Sequence, residues 1–97
     1  MAPDQTDISV ANAIFAVVAN QRQAGIKPIT MDGKQVLEEL KTYSGFYGEI
    51  DLRTMVSVLF YFQTRGCLTI DEDTVGYDGT MLISDINEDC IMRALWN

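Results

Sequence analysis

The chain has 97 residues, a formal charge of −7 and a pI near 4.2. That is enough chain for one small domain with an ordinary apolar core, and the wrong sign for holding nucleic acid or an anionic membrane by bulk charge. It contains no histidine, which removes the usual general base and the commonest metal ligand.

Residues 1–7 are polar, have no basic region and lead into no long apolar stretch. They read as a flexible arm, and neither a secretory signal nor a membrane-spanning helix is expected. From Ile8 to about Gln23, Val10, Ile14, Val17 and Val18 recur at helical spacing, with Asp7 or Ser9 as the cap and Gly25 as the stop. Ile26 to Thr30 is extended around Pro28. Asp32 with Gln35 has the spacing of a capping box and opens a second helix whose apolar face is Val36, Leu37 and Leu40. A connection over Thr42–Gly48 follows, with Gly45 as helix stop and Phe46 and Tyr47 in an exposed loop between glycines, where plugging the gap between the helices is their plainest role but does not fully account for them. A third helix starts near Asp51, runs from Leu52 to Arg65 and is closed by Gly66. Two strands, Cys67–Ile70 and Thr80–Ile83, flank an acidic turn from Asp71 to Gly79. A last helix starts at Asp85, where Glu88 repeats the capping-box spacing, and would bury Ile86, Ile91, Ala94 and Leu95. These elements define one α+β domain over residues 8–97.

The order helix, extended piece, helix, helix, strand, strand, helix resembles the winged helix-turn-helix superfamily over about Val10 to Ile83. The resemblance is carried by Pro28-Ile29-Thr30 before the second helix and by Met55, Leu59, Phe62, Gly66 and Leu68 along and after the third. It implies three helices, a two-stranded hairpin wing and a C-terminal helix, with the third helix as a DNA-recognition element. The connection between the second and third helices is longer than the tight turn of the simplest members.

The residues that would read DNA are sparse. Base and phosphate contacts need Arg, Lys or amide side chains on one face, and the third helix offers Arg53, Ser57, Thr64 and Arg65, with Lys27 and Lys34 from earlier in the chain to reach phosphates. Val56, Phe60 and Tyr61 make that helix apolar nearly all round, so this face is either covered by another helix or forms a protein interface centred on Phe60 and Tyr61. The turn between the strands carries Asp71, Glu72, Asp73 and Asp78, and the span 71–89 holds half of the chain's acids without one Lys or Arg. Asp85, Glu88 and Asp89 fit a helix N-terminus; the turn acids have no such explanation. Asp71, Asp73 and Gly76 fall at calcium-loop positions, but Val75 and Leu82 stand where ligands belong, so no calcium site is expected.

Cys67 and Cys90 match no metal spacing and read most simply as reduced core residues of a cytosolic protein, one disulfide between them being the alternative. No phosphate loop or nucleophile–base pair is present, so neither enzyme activity nor a cofactor or metal is expected. Two functional readings follow. The first is a small acidic modulator or inhibitor, phage- or plasmid-encoded and acting in the host cytoplasm. It would bind a nucleic-acid-handling protein, such as a defence complex or polymerase, through Asp71, Glu72, Asp73, Asp78, Phe60 and Tyr61. In size and acidity such a chain resembles DNA mimics and anti-CRISPR proteins. The second is a dimeric winged-helix DNA-binding regulator using Arg53, Ser57, Thr64, Arg65, Lys27 and Lys34.

Overall fold

A computed structural model describes residues 3–96 of the chain. The first helix, α1 (Gln5–Gln23), begins three residues before the expected start because Asp4 caps it, accepting from the Thr6 N–H at 2.8 Å. The arm expected over residues 1–7 is therefore helical from Gln5 onward, and residues 1 and 2 lie outside the described chain. Neither Asp7 nor Ser9 is the cap. Asp7 sits inside the first turn, where burial and then Asp4 raise its pKa above the usual carboxylate value. Ser9 is buried, and its hydroxyl donates to the Tyr47 carbonyl at 2.8 Å. Val10, Ile14, Val17 and Val18 are buried along α1, which packs against the helices that follow. Gly25 ends it with φ +74°, a conformation that favours glycine.

After a cis Lys27–Pro28 bond come β1 (Met31–Asp32) and α2 (Gly33–Thr42). The capping box forms as read: Asp32 accepts from the Lys34 N–H, and Gln35 Oε1 accepts from the Asp32 N–H, each at 2.8 Å. Gly45 is not a stop but lies inside a single helical turn, α3 (Ser44–Tyr47), which terminates at Gly48 with φ +87°. The third predicted helix is α4 (Leu52–Thr64), capped by Asp51 through the Thr54 N–H at 2.8 Å. Met55, Leu59 and Phe62 are fully buried on its inner side, each stabilising the fold by about 1.5–3 kcal/mol.

The strands β2 (Thr69–Asp71) and β3 (Leu82–Ser84) are shorter than predicted, since Cys67, Leu68, Thr80 and Met81 lie outside the ladder. The expected two-stranded hairpin gains a third strand. β1 pairs with the far side of β3, giving an antiparallel sheet in the order β1-β3-β2. Ile83 stands opposite both Met31 and Ile70, and all three are buried, while Thr69, Asp71 and Leu82 on the alternate positions are exposed. The hairpin follows α4 directly, so any orientation of α4 also fixes where the acidic turn projects.

The last helix, α5 (Glu88–Leu95), starts later than expected. Asn87, not Asp85, is its cap, with the side-chain oxygen accepting from the Cys90 N–H at 3.0 Å. The Asn87 N–H is itself held by the Cys67 carbonyl at 2.8 Å, and Asp85 takes the turn before it with φ +51°. Cys67 and Cys90 are not reduced: they form a disulfide with Cα atoms 5.1 Å apart, joining the chain ahead of β2 to α5. Disulfides are uncommon in reducing cytosol, so the cysteines lend no support to a cytosolic location. Among the described residues no helix is long and apolar enough to cross a membrane.

Candidate functional site

The outward face of α4 is set by helical spacing. Arg53, Ser57, Phe60 and Thr64 recur every three or four residues and so share one side. Arg53, Ser57 and Thr64 are exposed, Phe60 is half-buried, and Arg53 is the one cation among these four. Arg65 is exposed at the helix C-cap. Lys34 is exposed on α2 and paired with Asp78 at 3.2 Å, and Lys27 is exposed in the loop before β1. The candidate DNA-reading residues are thus spread over three elements, and one of them is engaged by an acid of the hairpin.

Phe60 and Tyr61 are not free anchors. Both pack against the hydrophobic core, and the Tyr61 hydroxyl donates to the Ala94 carbonyl at 3.0 Å. That bond satisfies a carbonyl of the last turn of α5. The aromatic surplus of α4 is therefore partly absorbed within the domain: α1 packs against α4, and α5 reaches it through the Tyr61–Ala94 bond.

The hairpin behaves differently. It is braced by its own polar atoms. Asp71 accepts from the Asp73 N–H at 3.2 Å, and the Thr74 hydroxyl donates to the Asp71 carbonyl at 2.6 Å while accepting from the Leu82 N–H at 2.8 Å. A single 3-10 turn over Glu72–Thr74 results. Asp78 accepts from both the hydroxyl and the N–H of Thr80, and these bonds, followed by Lys34, hold its carboxyl far below the usual carboxylate range. Every residue from Asp71 to Asp78 is exposed. Asp71, Glu72, Asp73 and Asp78 share this loop, but Asp78 is neutralised by Lys34, which leaves the first three as its uncompensated charge.

Sequence reasoning missed the apolar side of the hairpin. Tyr77 is fully exposed, at 104 %, with Val75 at 40 % and Leu82 at 44 %. A lone aromatic in an otherwise acidic turn was the available signal. Also missed was the role of Gly33. A Cβ there would stand 2.3 Å from the Gly79 carbonyl oxygen and 2.8 Å from Met81 Cγ, while the Gly33 N–H donates to the Met81 carbonyl at 2.9 Å. The base of the hairpin is thus pressed onto the start of α2, and its tip is left free.

On the other side of α2, Tyr47 is buried, and its hydroxyl donates to Glu39 at 2.8 Å. Burial, reinforced by Glu39, pushes the phenol pKa up to about 12. The described residues contain no group of three or more acidic, cysteine or histidine side chains placed to hold a metal ion. No family model, curated protein or solved structure matches the chain.

Proposed function

We propose that this chain is a small acidic protein-binding modulator that engages a basic, nucleic-acid-handling surface through the β2–β3 hairpin. The observation that carries the reading is the fully exposed Tyr77 at a tip where Asp71, Glu72 and Asp73 have no neighbouring cation in sequence from 66 to 92. Exposed aromatics serve as interface anchors, and a single-sign patch steers association toward a surface of opposite charge. The scaffold is winged-helix-like in layout, which is supported by β1 completing a sheet with the hairpin after α4. Phe60 and Tyr61 have no direct contact in this reading; Tyr77, Val75 and Leu82 supply the apolar part. Action on a host defence complex or polymerase, from a phage- or plasmid-encoded gene, is the setting that such a small acidic chain suits.

The test is an affinity capture from lysate with the intact chain, run with and without nuclease. It is followed by binding of the captured protein to a variant carrying Asp71→Lys, Glu72→Lys and Asp73→Lys. One protein retained after nuclease treatment, whose affinity drops about tenfold or more in the variant and less so at high salt, supports the proposal. Loss of the captured material with nuclease would favour the second reading, a dimeric DNA-binding regulator. That reading draws on Arg53, Ser57 and Thr64 sharing an exposed face, and it requires a salt-sensitive gel shift that Arg53→Ala abolishes.

A further inference from the structure

A second surface, sharing no residue with the hairpin, lies between the C-terminal half of α1 and the outer side of α2 and α3. Two adjoining hollows, about 440 and 400 Å³, meet at Asn20, Glu39 and Tyr43. The charged side chains lining them are Glu38 and Glu39, with no Lys or Arg. Tyr43 is 55 % exposed and Phe46 78 % exposed, a large aromatic area for a small domain to leave in water. The Phe46 ring is not loose. Phe46 stands edge-on to Tyr47 with centroids 5.0 Å apart and planes at 83°, and Tyr47 is fixed in turn by its bond to Glu39.

An unpartnered acceptor belongs to the same surface. Gln21 lines the larger hollow and is 8 % exposed. Its amide nitrogen donates to the Thr30 carbonyl at 2.6 Å, which fixes the orientation of the amide, and its Oε1 has no hydrogen-bond partner among the described residues. A buried acceptor left unmade costs about 1–3 kcal/mol, and this one lies shut off from solvent beneath the hollow. Two carboxylates and two exposed aromatic rings make a surface rich in acceptors and π-faces, with no cation in its lining.

We propose that this groove binds an arginine side chain presented by a segment of a protein partner. Charge complementarity selects a cation. The planar guanidinium, with five donors and an affinity for aromatic faces, meets carboxylates and rings together in a way that an ammonium does not. The proposal is independent of the hairpin: either surface can fail alone.

The test uses the full-length chain, labelled with ¹⁵N, titrated with a short neutral-capped peptide containing one arginine flanked by apolar residues. Its twin carries citrulline, the uncharged isostere, at that position. The expected result is saturable shifts of the Asn20, Gln21, Glu39, Tyr43 and Phe46 amides, with apparent affinity about tenfold lower for the citrulline peptide. Phe46→Ala should weaken binding, and Glu38→Gln with Glu39→Gln should remove the preference for arginine. The peptide pair tests the unmodified protein, so misfolded variants cannot obscure the outcome. Equal binding of the two peptides, absence of shifts at these residues, or shifts confined to Asp71–Asp78 would overturn the proposal. Equal or tighter occupation by spermidine would overturn it too, by making the groove a general cation site.

Discussion

In the corner where α4 reaches α5 through Tyr61, that ring is half-buried and its hydroxyl is bonded to Ala94, whereas at the hairpin tip Tyr77 touches little but water. The corner is fixed by several independent devices: the disulfide, the Asn87 cap held by Cys67, an Arg22–Glu88 ion pair, and buried Ile91 and Ala94. The hairpin tip is fixed by short-range hydrogen bonds and one exposed Lys34–Asp78 ion pair, and it buries no side chain between Asp71 and Asp78. An apolar side chain absorbed by packing contributes to stability. One that a well-ordered loop holds in solvent contributes nothing to the fold and is available to a partner.

The largest effect that could break this contrast is removal of the disulfide. It spans 23 residues, and a loop of that size corresponds to about 3 kcal/mol in the chain-entropy account. Replacing both cysteines by serine, or adding a dithiol to the wild type, should lower the unfolding free energy by that amount, read as a fall in the denaturation midpoint. Amide exchange should quicken in α5 before it does in β2 and β3. If α5 keeps its protection after reduction, the corner does not depend on its covalent tie and the contrast with the hairpin weakens.

A smaller effect is expected at the hairpin base. Gly33→Ala places a methyl group against the Gly79 carbonyl, backbone that cannot turn aside, at a cost of about 1–3 kcal/mol. Strain at this contact should leave the ladder Ile70–Ile83 formed and disturb the Gly33–Met81 bond. Nuclear Overhauser contacts from the Ile83 backbone would report the first, and exchange of the Gly33 amide the second. Loss of both together would mean that the hairpin is not an independently braced unit.

Much of this architecture was legible along the chain, because capping and periodicity are local. Asp32 with Gln35, Asp51 before α4, and Gly25 and Gly66 at helix ends all act within four residues of where they stand. What was not legible depends on residues far apart in sequence. Asn87 displaces Asp85 as the cap because Cys67, twenty positions earlier, holds the Asn87 N–H. Cys67 and Cys90 are joined because α5 returns to the start of the hairpin, a placement that no spacing encodes. Phe60 and Tyr61 read as interface residues because α4 is apolar on several sides, and only the packing of α1 and the Tyr61–Ala94 bond to α5 decide which side is taken. The acids of the turn read as exposed because charge dominates that stretch, and the same charge masks Val75 and Tyr77, whose exposure depends on how the loop is braced. Gly33 reads in sequence as part of a capping box, while its packing role exists only across the α2–hairpin contact.

The finest test sets the two tyrosines against each other. Tyr61→Phe removes a hydroxyl that donates to Ala94 at 3.0 Å and leaves that carbonyl to find water, at a cost of about 1 kcal/mol. Tyr77→Phe removes a hydroxyl with no intramolecular bond to lose, and Tyr77→Ala removes a ring that covers no apolar surface. Both should leave the unfolding free energy within about 0.5 kcal/mol of wild type, the range of ordinary surface substitutions. Chemical denaturation of the three variants resolves the difference, since a shift in midpoint at constant slope reports stability alone. Should Tyr77→Ala destabilise as much as Tyr61→Phe, the hairpin aromatic would be a packing residue in solution, and its exposure could no longer be read as an anchor awaiting a partner.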